Sequence, residues 1–123
     1  MLLSLPGQAG MWEINLAVSE DLATSACDIF AAPAGFDGEA LSDKVRIRAH
    51  YHGKSLWYDI DLPFKDFGIS RETLLREGFR WNVMVNDRDY DRREGYISLI
   101  PSTYTSLPKE PDKFPLVVFG QDE

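Results

Sequence analysis

Three groups of side chains have the types and spacing to do chemistry. The first is Asp87, Asp89 and Asp91, a D-x-D-x-D run like the opening of a calcium loop. A helix–loop–helix calcium loop needs Gly at its sixth position and a bidentate Glu at its twelfth. Here those positions hold Arg92 and Ser98, and Arg88, Arg92 and Arg93 offset the carboxylates. The run therefore reads as a turn in which Asp side chains accept from backbone N–H groups, and no cofactor is expected, calcium being compatible with the run but not supported by the residues present. The second group is Trp57 with Arg48, His50 and Asp59. An aromatic ring on the polar side of a strand, beside fixed hydrogen-bonding groups, suits a sugar: the apolar face of a pyranose stacks on the ring while the polar groups take up its hydroxyls. The opposing reading is that Trp57 packs under a loop such as residues 31–43. The third group is His50 and His52, two side chains on one strand face, short of the three or four ligands that a metal ion usually takes.

Catalysis finds little support. Glycoside hydrolysis needs a positioned pair of carboxylates, and no pair among the 20 acidic residues sits in a motif that implies a raised pKa. Cys27 is the single cysteine and has no Cys–His motif around it, so it forms no intrachain disulfide and is neutral as to redox compartment. Tyr90, Tyr96 and Tyr104 fall in or near loops, where a tyrosine serves equally as a binding residue or as a lid over a core edge.

These residues are positioned by strands. Trp12, Ile14, Leu16 and Val18 alternate with Glu13, Asn15 and Ala17, the two-residue period of a half-buried strand over 12–18. A short strand is expected at 26–30, and 31–43 reads as a surface loop. Val45, Ile47, Ala49 and Tyr51 alternate with Arg46, Arg48, His50 and His52; Leu56, Tyr58, Ile60 and Leu62 alternate with Trp57, Asp59 and Asp61. Gly53-Lys54 between them suits a type II′ hairpin turn. That register sets His52 opposite Ser55, His50 opposite Trp57, Arg48 opposite Asp59, Arg46 opposite Asp61 and Ile47 opposite Ile60. A slip of one residue would bury the charges, so the pattern selects the register.

Pro63 ends the second strand. Ser70 caps a short helix over 71–76, stopped by Gly78. Phe79, Trp81, Val83 and Val85 then alternate with Arg80, Asn82, Met84 and Asn86 in a strand over 79–86, followed by a charged loop over 87–95. Further strands are expected at 96–100 and 114–119, separated by a proline-bearing loop over 101–113. Residues 1–10 read as an irregular lead-in. The whole is one domain over 1–123, all-β, an antiparallel β-sandwich of jelly-roll-like character with one short helix near 70–77. Trp12, Ile47, Ile60, Trp81 and Val83 are expected to share its apolar layer.

The totals narrow the partners. The 123 residues are 44% hydrophobic and 27% charged, with net charge −7, which is ordinary for a soluble domain with one core. An acidic surface argues against nucleic acid and anionic membrane as partners, since phosphates call for a basic patch; neutral ligands such as sugars are compatible. MLLSLPGQAG has no basic n-region and its apolar run is cut by Pro6, unlike a signal peptide. No apolar run approaches the roughly 20 residues of a membrane span.

Four segments, in order, resemble the carbohydrate-binding module family 9-like domains. Trp12-Glu13-Ile14-Asn15-Leu16 resembles that family's E-x-N strand. WYDIDLPFKDFG, residues 57–68, resembles its strand followed by IP-x-x-x-h-G, where h is apolar. Residues 79–95 resemble its W-x-x-N-V-x-V-N-D-x-D…R-E-G segment, and Glu110-Pro111-Asp112-Lys113-Phe114 its closing P-x-x-F. The resemblance runs from residue 12 to about residue 120 and lacks the family's strands before the segment matching Trp12, with their aromatic residue and calcium ligands. It implies a β-sandwich that binds mono- or oligosaccharides without catalysis, often as the accessory domain of a glycoside hydrolase, and a secreted or periplasmic setting. The sugar-contacting positions carry over as Glu13, Met84 and, in place of a loop Trp, Tyr104. With Asn15, Arg48, Trp57 and Asn82, these are the candidate ligand-binding residues. The alternative is an interaction or structural domain without sugar binding, in which an open sheet edge pairs two chains as a homodimer.

Overall fold

The computed structural model describes residues 1–89, 92–98 and 111–120. The described chain is mostly β-strand, in antiparallel sheets, with two short helices. The largest sheet has five strands. Its centre is β1 (Leu2–Ser4), flanked by β2 (Trp12–Val18) and then β3 (Ser25–Ala31) on one side, and by β6 (Phe79–Asn82) and β9 (Leu116–Val117) on the other. β4 (Arg46–His52) and β5 (Ser55–Asp61) form a separate hairpin, as do β7 (Met84–Asp89) and β8 (Arg92–Ser98).

The supposed lead-in is therefore the central strand. Leu2 and Leu3 point to opposite faces of the sheet, and both are wholly buried. A strand covered on both faces carries no polar alternation, which is why MLLSL does not look like one. Leu3 lies between Trp12 and Trp81 on one face; Leu2 lies between Glu13 and Asn82 on the other. The Met1 nitrogen donates to the Ile14 carbonyl and the Ile14 N–H donates to the Met1 carbonyl, extending the β1–β2 ladder by one residue.

Leu3, Leu5, Trp12, Ile14 and Ile29 form the sheet's contribution to the core. Opposite them pack Val45 at the root of β4, Phe67 and Ile69 from the segment after β5, and Leu74 of helix α2 (Arg71–Glu77). Trp12 stacks on Phe67 with ring centroids 4.1 Å apart and tilts against Phe36 at 5.0 Å. Its indole N–H donates to Gln8 Oε1 at 2.8 Å, and the Gln8 amide in turn donates to the Phe67 carbonyl. One buried ring thus has both its stacking and its polar demand met. Of the five residues expected in one layer, Trp12 is in this core and Ile60 and Trp81 pack against it. Ile47 is also buried, whereas Val83 falls in the break between β6 and β7.

Several expectations change. The strand over 79–86 is split: Phe79–Asn82 joins the large sheet while Met84–Asp89 turns away to pair with β8. The charged stretch over 87–95 is largely hairpin, with Asp87 opposite Gly95 and Asp89 opposite Arg92. Charge argues against a core position, not against a two-stranded ribbon. The stretch over 31–43 contains helix α1 (Gly38–Leu41), capped by Asp37, whose side chain accepts from the Ala40 N–H, and a 3-10 turn over Ser42–Lys44. The described residues therefore hold two short helices, not one. The last strand is shortened to Leu116–Val117, after a 3-10 turn at Pro111–Lys113. Residues 99–110, Tyr90 and Asp91 lie outside the described residues.

Helix α2 follows its local code. Ser70 accepts from the Thr73 N–H, and Gly78 ends the helix with its N–H donating to the Leu74 carbonyl. Gly78 has φ +69°, and a Cβ there would collide with the Val117 carbonyl oxygen. Glycine is required both by conformation and by the approach of β9.

Candidate functional site

The β4–β5 hairpin carries the candidate site, and its register is the one the alternation dictates. Arg46 pairs with Asp61, Ile47 with Ile60, Arg48 with Asp59, His50 with Trp57 and His52 with Ser55, with no slip along seven pairs. Gly53 has φ +58° while Lys54 stays at negative φ, the signature of a type II′ turn. Only the root of this ribbon is held by the core, at Val45, Ile47 and Ile60. Toward the turn both faces emerge into solvent.

On the polar face, Trp57 is 54% exposed. The 31–43 segment does not cover it: Phe36 of that segment packs on Trp12, and α1 lies against β3. The packing reading of Trp57 is thereby corrected. His52 meets the Trp57 ring edge-on at 5.5 Å, and His50 meets His52 edge-on at 4.8 Å. His50 Nδ1 lies 3.4 Å from Asp59 Oδ2. Asp59 thus engages the diagonal histidine; among the described residues no ion pair joins it to Arg48, nor Arg46 to Asp61. Their heads remain available to another partner.

Beside these side chains lies a cleft of about 630 Å³, between the root of the hairpin and the edge of β3. Arg46, Arg48, Asp59 and Asp61 line one side; Cys27 and Asp43 line the other. Burial pushes the Cys27 thiol above its ordinary pKa, and the Asp28 and Asp43 carboxylates push it further. It is a poor nucleophile here, since the thiolate is the reactive form. What the cleft offers instead is two guanidiniums and three carboxylates, donors and acceptors in close alternation, with a flat ring two residues farther along the same strand face.

The seven sequence-derived candidates do not converge on one place. Arg48 and Trp57 stand together on the hairpin, both exposed. Glu13, Asn15 and Asn82 share the face of the large sheet opposite its core, Glu13 and Asn82 flanking Leu2. Of the three, Asn15 is exposed, Glu13 half-buried and Asn82 wholly buried, so Asn82 is corrected from a surface contact to an interior polar residue. Met84 is half-buried at the start of β7. Tyr104 lies outside the described residues, as do the 101–110 loop and Asp91 of the D-x-D-x-D run. Among the described residues, no group of three or more His, Cys, Asp or Glu could hold a metal ion. Asp43 and Cys27 were not legible as site residues, because they reach the cleft only through the placement of β3 and the 3-10 turn beside β4.

Comparison with known proteins gives no significant match, whether to a family model, a curated protein or a solved structure.

Proposed function

We propose that this domain is a non-catalytic carbohydrate-binding module, a jelly-roll-like β-sandwich akin to the family 9-like modules, that takes a neutral mono- or oligosaccharide at the β4–β5 hairpin. The observation that carries this reading is the exposure of Trp57 on the same strand face as Arg48 and Asp59, which line the polar cleft. A pyranose stacked on the indole turns its equatorial hydroxyls toward Arg48, Asp59 and His50, and a ring lying deeper meets Arg46, Asp61 and Asp43. The cleft volume falls within the roughly 300–1,000 Å³ of small-ligand sites. Mixed charge around the cleft favours hydroxyl recognition over capture of a strongly ionic group.

Xylo- and cello-oligosaccharides titrated against tryptophan fluorescence test this. Trp12 is buried and Trp81 half-buried, so the solvent-sensitive response reports chiefly on Trp57. The expected result is a saturable change, lost in Trp57→Ala with the far-UV circular dichroism unaltered. A folded protein that stays silent at millimolar concentrations of both sugar series refutes the reading.

A further inference from the structure

Among the described residues, nothing pairs with the outer edge of β5. A two-residue turn makes His52 and Ser55 the first hydrogen-bonded pair, so His50–Trp57 and Arg48–Asp59 are hydrogen-bonded as well. Leu56, Tyr58 and Ile60 therefore direct their N–H and C=O groups away from β4. Among the described residues, β5 pairs with no other strand. Natural edges are usually blunted by proline, by a bulge or by an edge lysine. Ser55–Asp61 has none of these within it, and its ladder with β4 is unbroken. Leu56 and Tyr58 are 40% and 42% exposed, and Tyr51, beside Leu56 on β4, is 63% exposed. A soluble strand that is open at its edge and apolar on a bare face calls for a partner.

We propose that the partner is a second copy of this chain, joined by antiparallel pairing of β5 with β5 about a two-fold axis through Trp57. The sequence is self-complementary in that register. Leu56 falls opposite Tyr58 of the partner subunit, and Ser55 opposite Asp59 of the partner subunit, so no carboxylate faces another. Each Leu56–Tyr58 pair exchanges two backbone hydrogen bonds, about four in all. On one face, Tyr51, Leu56 and the partner's Tyr58 line up across the joined sheet, covering the side chains that each copy leaves bare. On the other face, the two Trp57 rings stand side by side. One strand edge buries less than the roughly 1,200 Å² of a standard interface, so the dimer forms at high concentration and dissociates on dilution.

Sedimentation equilibrium and cysteine cross-linking test the pairing. The unaltered protein is expected to pass from monomer at about 10 μM to dimer near 1 mM, and Tyr58→Lys, a lysine at an exposed edge, is expected to remain monomeric throughout. Cysteine is then placed singly at 56, 57 or 58 in a Cys27→Ala background. A non-hydrogen-bonded antiparallel pair, with Cα atoms about 4.5 Å apart, suits a disulfide. Under mild oxidation W57C is therefore expected to cross-link several times faster than L56C or Y58C. A protein that is still monomeric near 1 mM overturns the proposal, as does cross-linking that is faster at 58 than at 57.

Discussion

Residues 1–5, MLLSL, and residues 56–60, LWYDI, are both largely apolar; the first holds β1 (Leu2–Ser4) and the second lies within β5. Their fates are opposite. The first is paired on both sides and buried on both faces; the second is paired on one side, and all but Ile60 of its side chains are exposed. Apolar content does not decide burial. What decides it is whether other strands and a covering layer are recruited, and that is a long-range property.

The comparison breaks if truncation costs the same in both places. Leu3→Ala removes a wholly buried side chain between two tryptophans and is expected to destabilise the fold by about 2–5 kcal/mol, whereas Leu56→Ala is expected to stay within about 0.5 kcal/mol. Urea unfolding of the two variants reads the difference directly. The two glycines sharpen it with a smaller effect. Gly53 and Gly78 both have positive φ, but a Cβ on Gly53 meets nothing within 4 Å, while one on Gly78 collides with the Val117 carbonyl. Asn takes positive φ more readily than other side chains but is strained at both sites, so Gly53→Asn is expected to lower the urea midpoint less than Gly78→Asn, which adds a collision and loses more than about 1 kcal/mol. Equal midpoints would mean that β9 does not press on the end of α2.

The smallest effect lies in the cleft between the root of the hairpin and the edge of β3. The Asp43 carboxylate helps to hold the Cys27 thiol protonated. Removing that negative charge in Asp43→Asn lowers the thiol pKa toward its ordinary value and raises the thiolate fraction at pH 8. Alkylation of Cys27 by iodoacetamide is then expected to quicken, with the urea midpoint little changed. An unaltered rate would place Asp43 too far from the thiol to act on it.

How much of this was legible depends on how far each signal reaches along the chain. The hairpin register, the Gly53 turn, the Ser70 cap and the Gly78 stop are local, encoded within a few residues, and the sequence states each of them. So is the two-residue period of β2. The central strand was not legible, because burial on both faces erases the alternation that identifies a strand. The break at Val83 was not legible either: 79–86 alternates without interruption, and only the competition between β1 and β8 for its backbone splits it. The site divides in the same way. Arg48, Trp57 and Asp59 follow from the register of one hairpin. Asp43 and Cys27 depend on tertiary placement, as does the interior position of Asn82, which alternation had assigned to the polar side.

The hairpin is gripped at Ile47 and Ile60 and unsupported beyond them, which makes it a cantilever. Opening the ribbon beyond that grip needs no repacking of the interior, because no residue of the core cluster lies past it. The cross-strand hydrogen bonds most open to water are those next to Gly53, so amide exchange along the ribbon is expected to be fastest there and to slow toward Ile47 and Ile60.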